Sequence, residues 1–165
     1  MMKKSFVAQT KIAQYAQKKG IKIAYNPSQY QAKQGYEKLK PVLNATDILI
    51  LNKEEAQLIA GFGNEKDILT RLHEFGIGIV CVTDGPKAVH VYDGTTHYTI
   101  IPKKVKVVEA TGAGDAFASG FVSEYIYSQD IEQALRMGLC NAESVIMHRG
   151  AKSNLLTCTA EKKKK

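Results

Sequence analysis

Asp47-Ile48-Leu49-Ile50-Leu51, followed at once by Asn52-Lys53-Glu54-Glu55-Ala56-Gln57-Leu58-Ile59-Ala60-Gly61, decides the fold. A nearly continuous apolar run has no polar face, which suits a parallel strand covered by helices on both sides. Lys53 to Ala60 reads as helix and Gly61 ends it. The same alternation continues in both directions. Upstream, Ile12, Tyr15, Ala16 and Lys19 keep a helical spacing up to Gly20, Ile21 to Tyr25 alternates as a strand leading into Asn26-Pro27, and Tyr36 to Leu43 is again helical. Downstream, Asn64 is placed to cap a helix whose Ile68, Leu69, Leu72 and Phe75 share a face. Gly76 and Gly78 break that helix, and Ile79 to Val82 forms the next buried strand.

Alternating helices and apolar strands with short connections predict an α/β fold, doubly wound around a mostly parallel sheet, because parallel strands need crossover helices. The pattern changes after Val82. Ala88 to Tyr92 and Thr96 to Ile101 flank Asp93-Gly94, a hairpin signal that puts antiparallel strands at one edge. Ala116 to Ile126 and Ile131 to Met147 then read as two closing helices. With neither an internal repeat nor a long linker, residues 1–160 are expected to form one domain, and residues 161–165 a lysine-rich, disordered tail.

The 165 residues, 44% hydrophobic and 24% charged, have the composition of an ordinary globular domain. The net charge of +7 falls to +3 once the four lysines Lys162 to Lys165 are set aside. The basic character is therefore mostly a tail effect, and no aromatic-studded basic stripe suggests nucleic acid as a partner. Cys81, Cys140 and Cys158 are widely spaced and form no C-x-x-C pair, which fits a reducing cytoplasm. The mixed stretch after Met1 to Lys4 predicts neither a signal peptide nor a membrane-spanning helix.

The chemistry concentrates in Thr111-Gly112-Ala113-Gly114-Asp115-Ala116-Phe117, with Ser119-Gly120 one helical turn on. Small residues at a helix start let the backbone approach a ligand, and unpaired N–H groups there cradle an anion. Asp115 is either a helix cap complementing the dipole or a base beside a transferring phosphate. Asn52 and Glu55 likewise have two readings, a cap and its box partner or a pair that organises a metal ion.

Thr111 to Phe117 with Gly120 closely resembles the C-terminal signature of the PfkB, or ribokinase-like, carbohydrate kinases. Leu51-Asn52-Lys53-Glu54-Glu55-Ala56 resembles their N-x-x-E motif, and Val82-Thr83-Asp84-Gly85-Pro86-Lys87-Ala88 their strand-end loop beside the nucleotide. The resemblance runs from about residue 10 to Ser153 and implies a ribokinase-like fold. It implies an ATP-dependent transfer to a hydroxyl of a sugar or nucleoside, with Asp115 as base and the backbone of Gly112, Ala113 and Gly114 as anion hole. Asn52 and Glu55 would organise Mg2+ through water, and Thr83, Gly85 and Asn141 would contact the nucleotide. Asn141 has a second reading as a polar residue facing water. Glu109, with Thr111, Gly150 and Ser153, marks a candidate K+ site, although the family usually carries Asp at position 109. Ala88 replaces a usual glycine, leaving that loop less backbone freedom.

Members of this family are about twice as long, and the Gly-Gly motif and lid of their N-terminal half have no counterpart here. The expectation is a truncated product, a fragment or a split gene, with an exposed sheet edge that invites self-association or a complementary N-terminal chain. Three functions follow: a kinase, a nucleotide-binding or assembly module without turnover of its own, and a basic nucleic-acid binder whose affinity would rest on the lysine tail.

Overall fold

The computed structural model describes residues 2–156, with side chains from residue 6 onward; Cys158 and the lysine tail lie outside the described residues. The chain divides into two compact units, residues 1–100 and 101–165. The first holds α1 (Met2–Lys18), β1 (Ala24–Tyr25), α2 (Gln29–Ala32), α3 (Gly35–Leu43), β2 (Ile48–Asn52), α4 (Lys53–Ala60), α5 (Glu65–Glu74), β3 (Ile79–Thr83), β4 (Val89–Tyr92) and β5 (His97–Ile100). The second holds α6 (Ala113–Ser128) and α7 (Ile131–Ile146).

One five-stranded mixed sheet runs β1-β2-β3-β4-β5 in sequence order. β1, β2 and β3 are parallel, and β3, β4 and β5 pair antiparallel. The first four residues of β2 and of β3 are buried, as strands covered on both faces require. Against them pack Leu39 and Leu43 of α3, Ala56 and Ile59 of α4, and Ile68 and Leu72 of α5. Asn64 caps α5 as expected, its Oδ1 accepting from the Asp67 amide at 3.0 Å. The β4–β5 turn is equally local: Asp93 accepts the amides of Thr95 and Thr96 at 2.8 and 2.7 Å, while Gly94 takes φ +93°. Burial alone would raise the Asp93 carboxyl, but these amides and the Thr95 and Tyr98 hydroxyls outweigh it and hold the group at about 2.

Two local expectations are corrected. β1 is confined to Ala24–Tyr25 because Asp47 takes over the preceding contact: its Oδ2 accepts the Ile23 amide at 2.8 Å, while its own amide donates to the Ile23 carbonyl at 2.9 Å. α2 is an additional short helix, fixed by a reciprocal box between Ser28 and Gln31. Among the described residues β1 pairs with β2 alone, which leaves its other edge open. On α1, Ala13 and Ala16 are buried while Val7, Ile12 and Tyr15 are exposed. No helix among the described residues is long and apolar enough to cross a membrane.

In the second unit, α6 begins at Ala113, three residues before the expected start, and α7 is capped by Asp130, which accepts the amides of Glu132 and Gln133 at 2.8 and 3.1 Å. The two helices touch through glycines. A Cβ at Gly138 would lie 2.8 Å from the Phe117 ring and 3.0 Å from the Phe117 carbonyl oxygen, and one at Gly120 would lie 3.0 Å from the Met137 carbonyl. Gly138→Ala therefore sets a helix-propensity gain of up to ~1 kcal/mol against an overpacking cost of ~1–3 kcal/mol. Because a backbone oxygen cannot swing aside, the cost wins, and urea unfolding should show a net loss of stability.

Candidate active site

The carboxyl ends of β2 and β3 bring one group of residues together. Asn52 and Thr83 are register partners, so the polar residues that end both buried runs stand side by side at the open end of the sheet. Asn52 caps α4: its Oδ1 accepts the Glu55 amide at 2.9 Å, and Glu55 Oε2 accepts the Asn52 amide at 3.0 Å. The capping-box reading is thus realised in full. Glu55 is buried, and its desolvation, partly offset by the Asn52 hydrogen bonds, pushes its carboxyl above the usual carboxylate range. Oε1 has no protein donor among the described residues, so one carboxylate oxygen stays open to a water held by a cation. No group of three or more His, Cys, Asp or Glu side chains capable of holding a metal directly occurs among the described residues. An ion here would keep its water shell, as Mg2+ prefers.

Beyond Thr83 the chain makes a tight turn in which the Asp84 amide donates to the Ala88 carbonyl at 2.9 Å and the Lys87 amide to the Asp84 carbonyl at 3.1 Å. Gly85 supplies the left-handed residue of this turn at φ +54°. Ala88 is not among the positive-φ residues, so its substitution for glycine costs this turn nothing. Lys53 was not singled out by sequence, yet its Nζ lies 2.7 Å from Glu65 Oε1 and 3.3 Å from Asp84 Oδ2. The Glu65 and Asp84 hydrogen bonds raise the Lys53 ammonium, and Lys53 pulls the Glu65 carboxyl down. The available signal was positional: residues 53 and 84 directly follow two neighbouring strand ends and carry opposite charges. Cys81 is no nucleophile, since complete burial pushes its thiol up.

In the second unit, Gly112 precedes α6 at φ +87°, and a Cβ on it would lie 2.4 Å from the Ala151 carbonyl oxygen. Glycine is required there for its conformation and for the close approach. The Ala113 amide turns back to the Ala110 carbonyl at 3.3 Å, and the Ala116 amide donates to the Gly112 carbonyl at 2.9 Å. The amides of Gly112, Gly114 and Asp115 have no acceptor among the described residues. Within the 112–115 turn expected to hold an anion, the Ala113 amide is thus engaged by the turn itself. The Asp115 side chain is exposed in the first turn of α6.

Of the two readings of Asn141, burial overturns the one that has it facing water: the residue is 4% exposed. Its Nδ2 donates to the Ala116 carbonyl at 2.7 Å, and its Oδ1 accepts the Leu156 amide at 2.8 Å. It ties α7 to the start of α6 and to the following segment, and lines a cavity of about 190 Å3 with Ser119, Ser123, Met137 and Leu155. The four candidate K+ residues are partly assembled: Glu109 Oε2 accepts the Gly150 amide at 2.9 Å, and the Gly150 carbonyl accepts the Ser153 amide at 3.0 Å. The Ser153 hydroxyl donates to Arg149. Of these four residues only Thr111 has no such bond recorded. These hydrogen bonds close the loop around Gly150.

These motifs and this sheet agree with known proteins. The profile of the pfkB family carbohydrate kinases matches residues 5–158, and the chain belongs to that family. It is 33% identical over 148 residues to a cytidine kinase of Thermococcus kodakarensis, covering 86% of this chain and 52% of that one. It is 29% identical to a ribokinase of Haemophilus influenzae, covering 88% of this chain and 47% of that one. The fold is ribokinase-like: the structure of Arabidopsis thaliana ribokinase complexed with ribose and ATP matches at TM-score 0.81 and 21% identity, over 91% of this chain and 49% of that one. The nucleoside kinase of Methanocaldococcus jannaschii matches at TM-score 0.68 and 29% identity, over 82% of this chain and 44% of that one. The chain spans about half the length of the curated relatives it matches.

Two outcomes follow. Because Glu55 binds its proton more tightly folded than unfolded, its contribution to stability is present at low pH and is lost as pH rises from about 4.5 through the raised folded value. Urea titrations across that window should show this fall in the parent and a flatter profile in Glu55→Gln. Gly112→Ala should cost at least ~1–2 kcal/mol for the left-handed backbone alone, read as a lower urea midpoint, with the Ala151 clash adding to it.

Proposed function

We propose that this chain supplies the phosphate-binding and base-carrying part of an ATP-dependent phosphotransferase that acts on a hydroxyl of a sugar or nucleoside. The observation that carries this reading is the start of α6: three amides without an acceptor among the described residues at the positive end of a 16-residue helix, with the exposed carboxylate of Asp115 in the same turn. Amides so placed bind a phosphoryl group and stabilise the charge on its oxygens during transfer. Asp115 accepts the proton of the attacking hydroxyl, the step for which a base must stand within reach of the nucleophile. Relatives named as cytidine kinase, ribokinase and nucleoside kinase support the acceptor class. A related structure in complex with ATP and Mg2+ supports that donor and cation.

Thr83 and Gly85 border the nucleotide in this reading, and Asn52 and Glu55 hold the water shell of Mg2+, which neutralises phosphate charge when bound. Asn141 acts on the nucleotide only indirectly, by fixing the α6 start. Nothing in the proposal depends on K+.

A second reading is a nucleotide-binding module that turns over only when joined by the other half of such a domain. It is favoured by the half-length match, by the single-sided pairing of β1, and by the exposed Val7, Ile12 and Tyr15 of α1. ADP release with a panel of sugars and nucleosides separates the readings. Turnover in the parent chain that falls by at least ~100-fold in Asp115→Asn supports the kinase with Asp115 as base. Equal turnover in both proteins removes Asp115 from that role. Calorimetric Mg-ATP binding without turnover, together with a self-associated or partner-bound species in sedimentation, supports the second reading.

A further inference from the structure

Lys53 breaks a local rule. It is the first residue of α4, where the helix dipole disfavours a cation, and the first turn already carries Glu54 and Glu55 as its acidic complement. Its ammonium nevertheless turns to two other carboxylates, Glu65 at the start of α5 and Asp84 at the start of the turn after β3. The side chains of Lys53 and Asp84 retain only 28% and 22% of their exposure, so this pair is shielded beyond an ordinary surface ion pair. Lys87 also reaches Asp84, at 3.4 Å, but it is 74% exposed and belongs to the same turn, so it adds no link between elements.

Lys53–Asp84 therefore joins the two segments that leave neighbouring strands at Asn52 and Thr83. Between Asp84 and Ala88 the turn's internal bonds are two backbone hydrogen bonds and the exposed Lys87–Asp84 contact. The β3–β4 ladder, with Thr83 paired to Val89, pins the two ends of the turn, and the ion pair adds a tie from Asp84 to the α4 start beside Asn52. We propose that Lys53 is a positioning residue for a nucleoside triphosphate, holding the Thr83–Ala88 turn in register with the Asn52–Glu55 box through Asp84, with Glu65 anchoring the ammonium from its other side. This rests on the nucleotide reading given above and extends it to a residue that reading does not use.

The test is calorimetric binding of Mg-ATP to the full chain at low salt, for the parent, Lys53→Met, Lys53→Arg, Asp84→Asn and the Lys53→Met/Asp84→Asn double variant, with thermal melts alongside. Lys53→Met and Asp84→Asn should each raise Kd about threefold to fivefold, the range of one partly shielded ion pair. The double variant should lose no more than either single one, because both changes remove one interaction. Lys53→Arg should stay within about twofold of the parent, since it keeps the charge. Unchanged Kd in Lys53→Met, or losses that simply add in the double variant, overturns the positioning role while leaving the nucleotide reading intact. Failure of the parent chain itself to take up Mg-ATP removes the nucleotide reading and this inference with it.

Discussion

The parallel pairing of β2 with β3 is the constraint on which the first unit depends. Five consecutive register pairs, Ile48 with Ile79 through Asn52 with Thr83, align the strands so that their apolar residues end together. Burial on both faces makes a one-residue slip costly, because it would expose apolar side chains and strand polar ones inside. The same register sets Asn52 beside Thr83. Core packing, which has no chemical role of its own, thereby fixes where the first polar groups emerge.

What the sequence made legible was whatever depended on short-range chemistry. β2 and β3 were readable from unbroken apolar runs, α5 from Asn64, and the β4–β5 turn from Asp93-Gly94, because each needs only a few adjacent residues. β1 was over-read because Ile21 to Tyr25 has a strand pattern, whereas Asp47, more than twenty residues away, captures the Ile23 amide and shortens the ladder. α2 escaped notice because its four residues carry no periodicity, only the Ser28–Gln31 box. Among candidate site residues, Asn52, Glu55 and Asp115 stood out by type and spacing. Lys53 was not, since its partners come from two other elements. Asn141 stood out as a polar residue on an apolar helix, but its partners, the Ala116 carbonyl and the Leu156 amide, lie 25 and 15 residues away.

Glycine plays two unlike parts in the second unit. Gly120 and Gly138 sit within helices, where glycine is intrinsically poor, and are justified by the approach of α6 to α7. Gly112 sits outside, where the left-handed backbone lets the chain turn into α6 while passing close to Ala151. The helix pairing holds α6 in place, the Asn141 bridge fixes its first turn, and the Gly112 turn determines which amides remain open.

The contrast between helix starts argues for α6 as the anion site. At the α4 start the Glu55 amide donates to Asn52, at α5 the Asp67 amide to Asn64, and at α7 the Glu132 and Gln133 amides to Asp130, so each of these positive ends carries a side-chain cap. A phosphate arriving there would have to displace a cap worth ~1 kcal/mol before gaining anything. α6 has Gly112 at the capping position, which offers no side-chain oxygen, and three amides are left for an external acceptor. A protein that wanted only helix stability would gain by placing Ser or Asp there, but the positive φ and the Ala151 contact exclude any side chain. The geometry that forbids a cap therefore supports the proposed anion site, and at the capped α4 start Glu55 Oε1, without a donor among the described residues, would suit a hydrated cation.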